Sequence, residues 1–155
     1  MQDSPETPPA PAVSRAVIIL HAIAAGIALG GLAEATYLAV LSLTGETAVC
    51  GGSTGCFQVL GSAYARIGGI PVSALGALAY FSVFTFATFA SFGYPRARML
   101  FTITVWSMFA VTLWLLYVQA FLLHAFCRYC LVSAALVFLM ASVAIATPPS
   151  NNAQP

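Results

Sequence analysis

The sequence predicts an all-α membrane protein, a bundle of four transmembrane helices with a short helix lying across its outer face. Three observations predict it. Charged residues make up 6% of the chain, against about 25% in a typical soluble domain. Those few charges sit at joints between long apolar runs, which is how membrane spans read. Each run approaches or exceeds the ~20 residues needed to cross the hydrocarbon, where a helix is viable because its backbone groups satisfy one another. With 61% hydrophobic residues, a mean hydropathy of +0.95 and a net charge of +1, the chain has no basic stripe and no nucleic-acid footprint.

The polar, proline-rich opening "MQDSPETPPAPAVSR" reads as a disordered tail over residues 1–12. Span one runs from about 16 to 43, interrupted only by His21 and Glu34. It is too long for a signal-peptide apolar region of about 7–15 residues. "GIALG", from Gly26 to Gly30, is a small-xxx-small pattern that suits close approach of a second helix. Span two covers about 70–92, with Pro71 placed for a first helical turn. "GYPRAR" is a turn, punctuated by glycine and proline. Span three covers about 99–123 and span four about 127–146, before "TPPSNNAQP" breaks any helix and leaves a second disordered tail over 147–155.

Four spans put both termini on one side. Arg15, Arg96 and Arg98 flank that side, and Arg66 and Arg128 flank the other, so the positive-inside rule favours cytoplasmic termini by three arginines to two. Both cysteine pairs, Cys50/Cys56 and Cys127/Cys130, then fall on the outer face, where disulfides persist. The expected location is a cell membrane, crossed several times, with the cysteines on its outer face.

The outer loop, residues 44–69, is more than a connector. "CGGSTGC" encloses Cys50 and Cys56 in a glycine-rich turn that can bring the sulfurs together and let them part. Beyond it, Phe57, Leu60, Ala63 and Tyr64 recur at helical spacing up to "GGIP", which predicts a short helix across the mouth of the bundle. Cys56 would stand at its N-terminus, where the dipole favours a thiolate.

"CRYC" opens span four, where free backbone N–H groups, the helix dipole and Arg128 stabilise a thiolate. The helix beyond is apolar, so an electron acceptor reaching these sulfurs from the membrane side is lipid-soluble, as a quinone is. Three other readings compete. A zinc site needs four convergent sulfurs, and Cys-x5-Cys in a loop is a poor half-site; no metal is expected. Two inert structural disulfides would make this a non-enzymatic membrane protein. A transporter or channel would carry more intramembrane charge than His21 and Glu34. His124 is either an interfacial anchor or a proton partner for Cys127. Glu34 is either a snorkelling carboxylate or, if buried beneath the outer loop, a proton acceptor. No role suggests itself for the deeper His21.

"CGGSTGCFQVLGSAYARIGGIPVSALGALAY" and "FCRYCLVSA" together resemble the vitamin K epoxide reductase family in its bacterial form, over nearly the whole chain apart from the tails. The resemblance implies a four-helix bundle around a quinone pocket, capped by a short helix bearing Ser62 that positions the cap. It implies a quinone-dependent thiol–disulfide oxidoreductase with ubiquinone or menaquinone as acceptor. By position, Cys127 and Cys130 match the active-site pair with Cys130 nearest the quinone. Cys50 would relay electrons to Cys127, and Cys56 would face a thioredoxin-like, DsbA-like partner whose reoxidation drives disulfide formation. Many bacterial members carry a fused thioredoxin-like domain, and the expectation for this chain is a separate partner. Reduction of vitamin K quinone or epoxide is the alternative on the same site. Against it, animal members have a tyrosine where this chain has Ala134 and an asparagine aligning with Val72, two candidate pocket positions. DsbB-type oxidases share the chemistry but carry Cys-x-x-Cys in the first outer loop, so the order of the pairs rejects that family.

Overall fold

The computed structural model describes residues 14–44 and 54–148. The N-terminal tail, residues 149–155 of the C-terminal one, and Cys50 with its loop lie outside the described residues; Thr147 and Pro148, expected in the tail, are placed, Thr147 buried with its N–H and Oγ1 on the Val143 carbonyl. Among the described residues, four helices are long and apolar enough to cross a membrane. They are α1 (Arg15–Thr44), α3 (Val72–Ser91), α4 (Pro95–Tyr117), whose last turn widens into a π turn over Val118–Leu122, and α5 (Arg128–Ala146). The short outer helix α2 spans Thr54–Leu60.

The bundle closes around small residues. Ala24, Ala28, Gly31 and Ala35 form the buried stripe of α1, packed with Tyr80, Val83 and Ala87 of α3, Phe101 and Val105 of α4, and Met140 and Ala141 of α5. A methyl group at Gly31 would overlap the Tyr80 ring, so glycine there lets α1 and α3 approach closely. This displaces the expectation placed on "GIALG". Gly26 and Gly30 are exposed, with open space where a side chain would project. The packing stripe runs at spacings of four, three and four residues, and Gly26 and Gly30, each two residues from a stripe member, fall on the far side of the helix. The outward faces carry large apolar side chains such as Ile23, Leu78, Phe81 and Trp114, as lipid contact requires. Hydroxyls on the spans are satisfied by carbonyls one turn back, as at Ser82, Thr85, Ser107 and Ser142.

The α3–α4 connection is tight for local reasons. Gly93, at φ +92°, donates its N–H to the Ala90 carbonyl while Tyr94 donates to Phe89, and the Tyr94 and Phe89 rings meet edge-on at 6.0 Å. That is a Schellman stop with its apolar contact. Pro95 then starts α4, four residues before the predicted start, because its fixed φ suits the first helical position. At this end Arg98 Nη2 donates to the Pro148 carbonyl, and the His21 and Phe101 rings lie 5.2 Å apart, holding together the ends of α1, α4 and α5.

The outer cap is more broken than the periodicity predicts. α2 stops at Leu60, and Ser62 Oγ donates to the Val59 carbonyl at 2.8 Å as the chain turns away. A 3₁₀ turn (Ala63–Ala65) leads into a two-stranded hairpin, β1 (Arg66–Ile67) with β2 (Ile70–Pro71). Gly68 and Gly69 form its loop with φ +59° and +87°, the pair of positive φ values that a two-residue hairpin turn demands. Ser62 therefore stands after the cap helix and not on it. The buried face of α2 is Cys56 and Val59, while Phe57 and Tyr64 are exposed. The "GG" that reads as a helix end is the turn of a hairpin, and apolar spacing across it is coincidental.

Candidate redox site

The site is built where α4 hands over to α5. The π turn closes with Leu123 N–H on the Val118 carbonyl at 2.9 Å and carries Gln119 into the interior, 3% exposed. Such single π turns are uncommon and gather at functional positions. Gln119 then organises the reversal through both of its carbonyls. Its backbone oxygen accepts from Ala125 N–H at 3.1 Å, and its side-chain Oε1 accepts from Cys127 N–H at 3.1 Å. Between them His124 adopts φ +49° with its side chain exposed, at the rim and not in the interior. Gln58 Nε2 donates to the Leu123 carbonyl at 3.4 Å and ties α2 to the same segment.

Cys127, held in this way, is the N-cap of α5 and is fully buried. Its thiol is held well below the ordinary thiol range, first by the Cys130 thiol that hydrogen-bonds its sulfur, then by the N–H groups of Cys130 and Tyr129 and by the Arg128 charge, against the opposing cost of burial. Both Cys127 and Cys130 are free thiols. Cys130, one turn into the helix, is half-buried and forms part of a cavity wall.

That cavity has a volume of about 420 Å³ and opens between all four spans beneath the cap. Leu38, Met108 and Val137 are among its apolar walls, and Val59, Leu60 and Ser62 lie over it. Its polar points are few. Tyr80 OH pairs with Ser133 Oγ at 2.8 Å and reaches the Ser133 carbonyl at 3.2 Å. Glu34 lines the wall, with both carboxyl oxygens buried and without a hydrogen-bond partner among the described residues. An apolar chamber of a few hundred Å³ with a few convergent polar groups is the ordinary form of a small-molecule site.

The predicted residues distribute as follows. Cys130 and Val72 line the cavity, and Ser62 stands at its roof. Ala134 is buried in the bundle and is not among the lining residues; Ser133 takes that wall instead. Cys56 is disulfide-bonded and 1% exposed, packed in one cluster with Val59, Ala125 and Cys127. In this conformation it faces inward and not toward an outside protein. Cys50 lies outside the described residues.

A model of the vitamin K epoxide reductase family matches residues 22–145. The chain belongs to the vitamin K epoxide reductase family. The matched span runs from within α1 to the end of α5, so it contains the cavity, both thiols of the α5 pair and the cap. Membership makes the chain a multi-pass membrane oxidoreductase of the quinone-linked thiol or vitamin K reductase kind.

Sequence reasoning missed Gln119, Tyr80 and Ser133. Gln119 did leave a signal: it is the sole amide side chain between Pro95 and Leu122, and a polar residue inside a span marks a site more often than not. Tyr80 and Ser133 left none, because tyrosine and serine are common on spans for unrelated reasons.

Proposed function

We propose that this protein is a quinone-dependent thiol–disulfide oxidoreductase that reoxidises a separate thioredoxin-like, DsbA-like protein outside the cytoplasm. The observation that carries the reading is the Cys127–Cys130 dithiol with Cys130 in the wall of an apolar chamber. The residues fit a quinone: the chamber suits an apolar ring, and Tyr80 and Ser62 bring hydroxyl groups to its lining. A bound quinone, ubiquinone or menaquinone, would supply a two-electron, two-proton acceptor.

The chain's own groups do the rest. A partner thiolate attacks Cys56, breaking the loop disulfide and freeing Cys50. Because Cys56 is buried here, α2 must lift for that attack. Cys50 attacks Cys127 and expels Cys130; once the partner's second thiol has released Cys56, that sulfur attacks Cys50 and expels Cys127, which re-forms the loop disulfide and leaves Cys127 and Cys130 as a dithiol. The low-lying Cys127 thiolate is a good leaving group in that exchange and a ready nucleophile when the pair closes again. Gln119 holds the Cys127 N–H, so the start of α5 need not shift while the Cys127 sulfur exchanges. A DsbA-like partner has a potential of roughly −120 mV, so its oxidation calls for an acceptor as oxidising as a quinone.

Purified protein mixed with a reduced thioredoxin-like partner and a short-chain quinone is expected to oxidise the one and reduce the other. Cys130→Ser should abolish quinone reduction, and reduced partner should accumulate in cells carrying it. Normal partner oxidation in that variant would reduce the cysteines to structural elements. Ala134 supplies no hydroxyl to the cavity, which gives vitamin K epoxide no added support as a substrate.

A further inference from the structure

Glu34 is a carboxyl group in an apolar wall, both its oxygens without a hydrogen-bond partner among the described residues. Gly31, one turn earlier on α1, sits against the Tyr80 ring, and Ala35 lies 3.9 Å from where a side chain at Gly76 would begin. This close seam presses α1 onto α3 and holds Glu34 at the edge of the chamber. Tyr80 and Cys130 line the same chamber. A snorkelling carboxylate would extend to the interface with wet oxygens. Here both oxygens are buried and unpartnered among the described residues. Such a group is retained at a cost in stability and marks a site inside a membrane.

The other ionisable groups of the same wall are Tyr80 on α3, Tyr64 and Arg66 above, and Tyr129 and Cys130 on α5; α4 contributes none. Tyr80 is engaged by Ser133, and Arg66 donates to the Ser42 carbonyl. Cys130 is the neighbour that most lowers the Cys127 thiol. When the pair closes, the S–S bond forms, the Cys130 S–H bond breaks and one electron pair leaves for the acceptor. One proton must then leave Cys130 inside an apolar chamber.

We propose that Glu34 is the proton-exchange group of this chamber, its carboxylate taking the proton released by Cys130 and returning it to the chamber's reduced occupant. The proposal rests on the quinone-linked reading given above. The balance is complete: the dithiol, with Cys127 already ionised, loses two electrons and one proton. Glu34 takes up that proton and gives it back, ending as it began. The occupant gains the electron pair and that proton, and takes its second proton from solvent at the outer mouth.

Two measurements test it. The first needs neither variant nor quinone: infrared difference spectra of the purified protein while the cysteine pairs are oxidised and reduced chemically. The chain has four acidic residues, Asp3, Glu6, Glu34 and Glu46, and only Glu34 lies in a span. A redox-linked carboxyl band is expected that moves in Glu34→Asp and vanishes in Glu34→Gln. A wild-type spectrum without any such band overturns the proposal. The second is rapid-mixing reduction of a short-chain quinone by the pre-reduced protein. Glu34→Gln should slow it about 10²-fold, Glu34→Asp should recover most of the rate, and exchange with the partner's thiols should stay unchanged in both. An unslowed Glu34→Gln protein overturns the proton role while leaving the quinone reading intact. A wild-type protein that reduces no quinone overturns that reading instead, and the infrared band still decides whether Glu34 titrates with the cysteines.

Discussion

At the scale of single residues, the character of Cys127 is set by its immediate neighbours. The Cys127 thiol is low chiefly because the Cys130 thiol hydrogen-bonds to it, with two backbone N–H groups and Arg128 adding to the effect. Alkylation of Cys127 in reduced protein, followed against pH, should therefore reach half its maximal rate below the ordinary thiol value of about 8.5. Cys130→Ala, which removes the largest cause, should move that midpoint upward, while Cys130→Ser keeps a donor and holds it down. A midpoint near the free-thiol value in the wild type would contradict the geometry. Gln119 is the second such residue. In Gln119→Leu the buried Cys127 N–H loses its acceptor, which should cost about 1–3 kcal/mol in a thermal or denaturant assay, with a larger loss of electron transfer than of fold.

At the scale of elements, two adjacent glycines on α1 have opposite meanings. Gly30→Ala meets open space and should be neutral or stabilising by up to about 1 kcal/mol through helix propensity. Gly31→Ala drives a methyl into the Tyr80 ring and should cost about 1–3 kcal/mol, loosening the wall that holds Glu34. Equal melting temperatures for the two variants would show that α1 and α3 are not in close contact. These glycines also mark how far the sequence was readable. Span positions follow from hydropathy, because exclusion of charge from lipid leaves little freedom. Which face of a span packs is weakly encoded, since lipid and core are equally apolar and both accept leucine. The cap shows the complementary limit: Phe57, Leu60 and Tyr64 recur at helical spacing, yet Gly61 ends the helix and Gly68–Gly69 turn a hairpin. The cysteines announced the redox pair by spacing. Gln119 and the Tyr80–Ser133 bond depend on contacts between α3, α4 and α5 that no local pattern records.

At the scale of the whole molecule, the α5 cysteines, the cavity and the cap gather at one end of the bundle, and Arg98, His21 and Pro148 at the other. With cytoplasmic termini, a reporter active only outside the cytoplasm should be silent when fused after Pro155 and active when inserted in the outer loop. The reverse result would invert the orientation. One part of that outer end has a further consequence. α2 carries Cys56 on one turn and lays Val59 and Leu60 over the chamber on the next. Whatever lifts the helix to expose the sulfur also unroofs the chamber, and whatever fills the chamber braces the helix from below. In the proposed reaction the two half-reactions would share a single moving part, a turnstile admitting a protein thiol on one stroke and a membrane oxidant on the other.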